Sequence, residues 1–283
     1  MLIAQITDVH LGFVPNTPDE PNWQRLDVVL RTLIDGPNRP DMLFVTGDIA
    51  DDGGDEHYAR AAAMLAACPF PVHACLGNHD SRQNFLRHFP TVVQPGGFVQ
   101  YCVAAPGLRL IVLDTLDEGR HGGGFCETRA QWLKAQLALD CVTPTIIVMH
   151  HPPIDTGIVW MSGGDDEAWL QRFAGAISGH QQIRAIWSGH FHRAIVSSWR
   201  GITVTVCPAT AAQLALDLRA IDPEHPDGRA MITADPPGYA LHRWHRGELV
   251  SLFDTAEEHG ILARFDAGMQ PLVRHLARER EGG

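Results

Sequence analysis

Apolar residues recur along the chain in two alternating rhythms. Residues 2–7 carry Leu2, Ile3, Ala4 and Ile6, a short run that predicts a buried strand. Leu26, Val29, Leu30 and Leu33 then recur at three- and four-residue steps, which predicts a helix over 23–33. The same exchange follows at once: a strand over 42–46, a helix over 56–67 and a strand over 72–76. Strands alternating with amphipathic helices are the pattern of β-α-β units, so the chain is of α/β class.

The second half carries more strand. Residues 98–104 and 108–114 predict a hairpin around Pro106-Gly107, 128–139 a helix with Thr128 as its N-cap, and 145–149 a strand. A helix over 166–177, a strand over 183–187 and a hairpin over 195–199 and 202–207, turning at Arg200-Gly201, follow. Past Pro208 the character changes to an Ala-rich stretch and then a Pro-, Asp- and Gly-rich one. A further hairpin over 239–253 turns near Arg246-Gly247. The last thirty residues predict a surface helix whose Arg274, Arg278 and Arg280 form a solvated face. No internal repeat or low-complexity linker interrupts the chain.

The polar residues at the strand ends carry the chemistry. Asp8 and His10 stand two apart, so strand alternation points both side chains the same way. Later strands run into Gly47-Asp48, Gly77-Asn78-His79-Asp80, His150-His151 and Gly189-His190-Phe191-His192. Ligands of open α/β sheets collect at the carboxyl ends of strands. Sixteen histidines in 283 residues are a high count for the commonest metal-ligating side chain. Two borderline metal ions about 3.5–4 Å apart need imidazoles for affinity and an anionic oxygen between them to relieve their repulsion. Asp48 can bridge, Asn78 offers a neutral oxygen, and His10, His150, His190 and His192 offer nitrogens. Gly47, Gly77 and Gly189 let the backbone turn sharply beside them. No cysteine joins the set, which disfavours a structural zinc site.

Charge and cysteines bound the setting. With 22 Lys+Arg against 33 Asp+Glu, a net charge of -11 opposes the approach of a nucleic-acid backbone, so no nucleic-acid partner is expected. The six cysteines are scattered without a C-x-x-C pair, and no stretch approaches the roughly 18 apolar residues of a membrane span. The first residues lack the basic start of a signal peptide. These features predict a cytoplasmic protein without a membrane partner.

The ordered set Asp8-x-His10, Gly47-Asp48, Gly77-Asn78-His79-Asp80, His150 and Gly189-His190-x-His192 resembles the calcineurin-like metallophosphoesterase superfamily over roughly residues 1–210. Gly47-Asp48-Ile49-Ala50-Asp51, Met149-His150-His151-Pro152-Pro153 and Gly189-His190-Phe191-His192-Arg193 are most similar to its bacterial class III cyclic-nucleotide and glycerophosphodiesterase branch. The resemblance implies a four-layer α/β/β/α fold, two mixed sheets flanked by helices, with a catalytic core over 1–208. It implies an extension over 209–283 whose hairpin completes the sheet and which caps the site or pairs subunits as a dimer or larger oligomer.

The resemblance also implies two divalent ions, drawn from Mn, Fe, Zn and Co. Asp8, His10, Asp48 and His192 would hold one, and Asp48, Asn78, His150 and His190 the other. The implied reaction is hydrolysis of a small organic phosphodiester, a cyclic nucleotide or a glycerophosphodiester, by in-line attack of a hydroxide bridging the ions. His79 then stabilises the phosphoryl oxygens or protonates the leaving alkoxide. Asp80 orients a histidine, or else caps the helix that begins near Ser81. A phosphomonoesterase or phosphonate-ester hydrolase on the same site is the alternative. A non-enzymatic scaffold is disfavoured because all seven ligand positions are filled.

Other positions stay open. Asp51 and Asp52 match a pocket-lining position but can equally cap a helix. His151 either packs behind His150 or meets substrate. Residues 154–165, with Trp160 and Met161, overhang the site as a lid or bury against a neighbouring subunit. Where the diesterase branch often carries a pocket histidine after Pro208-Ala209-Thr210, this chain has Ala211-Ala212-Gln213. That departure leaves room for a more apolar substituent, with Gln213 as an amide contact or a packing residue. The remaining histidines, His121 among them, take surface or core positions.

Overall fold

The computed structural model describes every residue except 15, 16, 18, 19, 91–95, 162, 165, 282 and 283. Two mixed sheets face each other. In the first, the parallel strands β1 (Leu2–Ile6), β2 (Met42–Thr46) and β3 (Val72–Cys75) are extended by the antiparallel pair β12 (Gly238–His245) and β13 (Glu248–Thr255), in the order β13-β12-β1-β2-β3. The second sheet holds β4 (Tyr101–Ala105), β5 (Leu108–Val112), β6 (Thr145–Val148), β7 (Ile183–Ser188), β8 (Ile195–Trp199) and β9 (Ile202–Val206), in the order β4-β5-β6-β7-β9-β8. β5, β6, β7 and β9 run parallel, and the edge strands β4 and β8 run antiparallel.

Side-chain alternation sorts the second sheet between two cores. Leu110, Val112, Ile146, Val148 and Trp187 enter one cluster with the first sheet. Ile111, Ile147, Met149 and Ile186, the neighbours of opposite parity, enter another with Leu133, Leu137, Phe173 and Ile177 of α4 (Glu127–Leu139) and α5 (Ala168–Ile177). Helices α1 (Pro21–Asp35), α2 (Asp55–Leu65) and α3 (Arg82–His88) add Leu26, Val29, Leu30, Tyr58 and Phe85 to the first core. Both faces of the second sheet are therefore covered, as a largely parallel sheet requires. Burying each such side chain is worth roughly 1.5–3 kcal/mol.

A polar contact crosses between the sheets. Gln5 of β1 donates through Nε2 to Thr46 Oγ1 (2.9 Å) and to Ser188 O (3.0 Å) across the interface, and its Oε1 accepts from His242 Nε2 (2.9 Å). The His242 ring stacks on Trp187 at 3.8 Å.

Most predicted elements lie within a few residues of their expected bounds, and both Arg-Gly hairpins turn through consecutive left-handed residues: Arg200 (φ 51°) with Gly201 (80°), and Arg246 (52°) with Gly247 (83°). Thr128 is not an N-cap: α4 begins at Glu127 with Cys126 in the capping position and no side-chain cap bond. The β10 (Gln213–Leu214) and β11 (Ile232–Thr233) ribbon has strands too short to show a period. The last helix, α6 (Gln270–Glu281), is solvent-exposed along its described length.

Candidate metal centre

The loops after β1 and β2 continue together beyond the sheet. Asp8 N donates to Gly47 O (3.1 Å), Val9 N and His10 N to Asp48 O (2.8 and 2.9 Å), and Leu11 N to Ile49 O (3.0 Å). This ladder holds a strained backbone. Asp8 (φ 50°), His10 (49°), Asp48 (49°), His190 (73°) and His192 (50°) are all left-handed, which costs roughly 1–2 kcal/mol for each residue with a Cβ. Asp8 and His10 lie past the end of β1, so strand alternation is not what points them together; two left-handed residues in one tight loop do it. Of Gly47, Gly77 and Gly189, only Gly47 turns with positive φ (94°). At Gly189 the requirement is space, since a Cβ would come within 2.8 Å of Asp8 Oδ2.

Seven donor atoms meet at these loop ends. On one side His192 Nε2 lies 3.3 Å from Asp8 Oδ1 and 3.1 Å from His10 Nε2, which is 3.6 Å from Asp48 Oδ2. On the other, His150 Nε2 lies 3.2 Å from the same Asp48 Oδ2 and 3.2 Å from Asn78 Oδ1, and Asn78 Oδ1 is 2.9 Å from His190 Nδ1. Metal bonds of 2.0–2.2 Å set ligand atoms roughly 3–3.5 Å apart around one ion. The spacings on both sides of Asp48 Oδ2 fall close to this range. Two groups drawn from these residues, Asp8 with His10 and His192 and Asp8 with Asp48 and His150, bring their donor atoms within 4.8 Å of one another.

The second nitrogens fix the tautomers. His150 Nδ1 donates to Thr46 O (2.8 Å), His192 Nδ1 to Ala212 O (2.7 Å) and His10 Nδ1 to Asp51 Oδ1 (2.9 Å). In each neutral ring the Nε2 lone pair is thereby aimed inward. Burial alone would raise the Asp48 carboxyl, but the rings of His150, His10 and His79 reverse this and hold it well below the usual carboxylate range. Burial opposes charge on His150 as well, yet the carboxylates of Asp48 and Asp8 lift it to about 9. The acids thus favour positive charge at His150, whereas burial and the neighbouring rings of His151, His150 and His121 hold His190 well below the usual imidazole range, and the nitrogen and oxygen donor set fits divalent ions.

His79 stands at the rim. Its main-chain N–H donates to Asp48 Oδ1 (2.8 Å), leaving Oδ2 for the shared position, and its Nδ1 donates to Asp51 O (2.7 Å). Ligand atoms of His79, His10 and Asp48, one from each, lie within 4.8 Å of one another. Asp51 therefore positions two rings, His10 through its carboxylate and His79 through its carbonyl, while also lining the adjoining cavity. Asp52 instead accepts from Gly54 N (2.8 Å) just ahead of α2.

Asp80 touches no histidine. Its carboxylate accepts from Ile49 N (3.1 Å), Ala50 N (3.2 Å), Gly77 N (2.8 Å) and Tyr58 Oη (2.8 Å), tying the 47–50 loop to the 77–80 loop. Ser81, not Asp80, caps α3. Burial and the Asp48 charge push the Asp80 carboxyl up to about 6.

His151 is buried behind His150 and His190, its Nδ1 2.8 Å from Thr115 Oγ1. Gln213 does not face the site: its Nε2 is turned onto Ala209 O (2.7 Å). In the 154–165 stretch, of which 162 and 165 lie outside the described residues, Ile158 and Met161 pack against Phe191, Val206 and Leu214. His121 is the site residue that sequence reasoning missed. Its ring lies 4.8 Å from that of His190, and its Nδ1 accepts from Asn78 Nδ2 (3.3 Å), which keeps Asn78 Oδ1 on the inner side. The run Gly122-Gly123-Gly124 beside it was the available signal of a tight loop.

The family profile for calcineurin-like phosphoesterases matches residues 1–194. A Rhodopseudomonas palustris protein named "Probable cyclic nucleotide phosphodiesterase" is 33% identical over 245 residues, covering 78% of this chain and 85% of that protein. An Arcobacter nitrofigilis protein named "Probable glycerophosphodiester phosphodiesterase" is 27% identical over 252 residues, covering 86% of this chain and 89% of that one. Among solved structures, a dimetal phosphatase from Danio rerio superimposes with a TM-score of 0.64 at 17% identity, covering 91% of this chain and 97% of that one, a likeness of fold.

Proposed function

This chain belongs to the calcineurin-like phosphoesterase family, and from that premise we propose that it hydrolyses a small organic phosphodiester at a centre of two divalent ions. The observation that carries the reading is Asp48 Oδ2, which lies 3.6 Å from His10 Nε2 and 3.2 Å from His150 Nε2 and so belongs to both donor sets. Asp8, His10, Asp48 and His192 would hold one ion, and Asp48, Asn78, His150 and His190 the other. Once bound, the ions supply Lewis-acid charge to the phosphoryl oxygens and lower the pKa of water. Imidazole and carboxylate donors suit Mn, Fe, Zn or Co.

The protein's own groups do the rest. Asp8 and Asp48 are the only carboxylates in the two sets, so the loaded centre keeps a positive balance that draws in a phosphodiester anion despite the acidic surface. His79, held by Asp51 O, presents Nε2 to the leaving oxygen and, as an imidazolium with both ring nitrogens protonated, donates the Nε2 proton there and is left neutral with its Nδ1–H still on Asp51 O. Asp80 fixes the two loops that carry Asp48, Asn78 and His79. The related proteins named for cyclic nucleotides and glycerophosphodiesters support the diester class.

We extend the reading to the extension over 209–283. Its hairpin completes the first sheet by pairing β12 with β1, and the exposed Leu262, Phe265 and Leu272 support a role in subunit pairing. The scattered free cysteines support a reducing, cytoplasmic setting. No helix among the described residues is long and apolar enough to cross a membrane.

Protein stripped with chelator and refilled with Mn²⁺, Zn²⁺, Fe²⁺ or Co²⁺ should regain activity on bis-p-nitrophenyl phosphate and exceed its rate on p-nitrophenyl phosphate. No recovery with any ion overturns the metal-dependent reading; faster monoester turnover overturns the diesterase.

A further inference from the structure

We propose that the metal centre opens onto a subsite for an apolar alcohol, so that one ester substituent of the substrate is an alkyl or aryl group rather than glycerol; this rests on the phosphodiesterase reading above. A cavity of about 380 Å³ runs from the rings of His10, His79 and His192 to the β10–β11 ribbon. Phe13, Trp160, Met161, Ala212, Leu214 and Ile232 form its far walls. Leu214 and Ile232 are cross-strand partners, so the ribbon contributes one aliphatic side chain from each strand.

Two observations assign the chemistry of the occupant. First, Asn22 and Arg25, two polar side chains of the lining away from the metal ligands, are committed to main-chain carbonyls. Asn22 Nδ2 donates to His10 O (2.9 Å), and Arg25 donates through Nε to Thr210 O (2.9 Å) and through Nη2 to Ala211 O (3.0 Å) and Asp235 O. Gln213, the one amide in the ribbon, is turned away onto Ala209 O. Glycerol hydroxyls entering here would shed water with few partners to replace it. Second, Phe13 and Ile232 are 57% and 54% exposed beside a polar centre, and an apolar ligand would cover both. His10, His79 and His192 line the cavity directly, so a phosphodiester seated on the donor atoms directs one substituent into it.

The test uses product analogues and the metal-loaded protein. Calorimetric titration should find hexyl phosphate bound at least tenfold more tightly than glycerol 3-phosphate, with affinity rising about threefold per methylene from propyl to hexyl. Methyl hexyl phosphate should exceed methyl glyceryl phosphate in kcat/KM by a similar factor. The double variant Phe13→Ser, Ile232→Ser, at two exposed positions, should bring the hexyl-to-glycerol binding ratio close to one. Equal or tighter binding of glycerol 3-phosphate, or no effect of chain length, overturns the subsite. A hexyl preference in binding without hydrolysis of any diester supports the subsite and overturns the phosphodiesterase.

Discussion

His10 and His192 face each other Nε2 to Nε2 across 3.1 Å, and neither neutral ring can place a hydrogen in that gap, because each holds its Nδ1–H on another acceptor, Asp51 Oδ1 or Ala212 O. Two lone pairs so arranged repel unless a metal ion, or a proton that the Asp8 carboxylate favours on His192 against the effect of burial, lies between them. The left-handed backbone at both residues adds to the cost of keeping them there. Ion binding therefore contributes to stability as well as to chemistry. Chelation should lower the Tm by roughly 5–15 °C, given about 2.7–4 kcal/mol of linkage per saturated site. A Tm indifferent to chelator would show that the pair is held by the protein alone.

His79→Ala should retain its metal content and lose about 10²–10⁴ in kcat on alkyl diesters, because the leaving alkoxide loses its proton donor. The loss should be much smaller with a p-nitrophenolate leaving group, which departs without protonation. Equal losses on both substrates would make His79 a binding group and not an acid.

Asp80 braces two loops, so Asp80→Ala should destabilise the fold by about 3–5 kcal/mol in urea unfolding. Three main-chain N–H groups and Tyr58 Oη lose their acceptor, at roughly 1–3 kcal/mol for each group left unpaired. Had Asp80 oriented a histidine, the change would weaken metal binding while sparing stability, and that outcome would refute the bracing role.

The strand ends were legible because chemistry and fold coincide there: Asp8, Asp48, Asn78, His150, His190 and His192 each follow a short apolar run whose length and flanking polar or glycine residues favour a strand. Their backbone was not legible. Left-handed φ at Asp8 and His10 is imposed by hydrogen bonds to Gly47 and Asp48, some forty residues away in sequence, and alternation along β1 suggested a different geometry for the same pair. Asp80 was misread for a related reason, since sequence shows what a side chain can bond and not which neighbour reaches it first, and the same limit left Gln213 open between an amide contact and packing. The hairpin 238–255 was visible locally, but its docking edge, β1, lies at the other end of the chain.

His242 gives the stability profile an acid limb separate from the metal centre. Burial between the sheets lowers its pKa from 6.5 to about 3, so above pH 6.5 the ring is neutral in both folded and unfolded states and its contribution is complete. Below pH 6.5 the unfolded chain takes up a proton that the folded chain refuses. Stability is then lost as pH falls toward about 3, by up to about 1.4 kcal/mol per pH unit. His242→Gln, which keeps a donor toward Gln5, should flatten this limb relative to the parent in urea unfolding measured from pH 7 to pH 4. Parallel profiles would mean that His242 does not titrate differently in the two states.

The central claim is that Asp48 Oδ2 is shared by two ions, and counting metal per chain by mass spectrometry after dialysis tests it most directly. The account predicts two ions in the parent protein, one in His192→Ala, one in Asn78→Ala and none in Asp48→Ala. Retention of an ion by Asp48→Ala at parental affinity, or a parent protein that saturates at one ion, would contradict it.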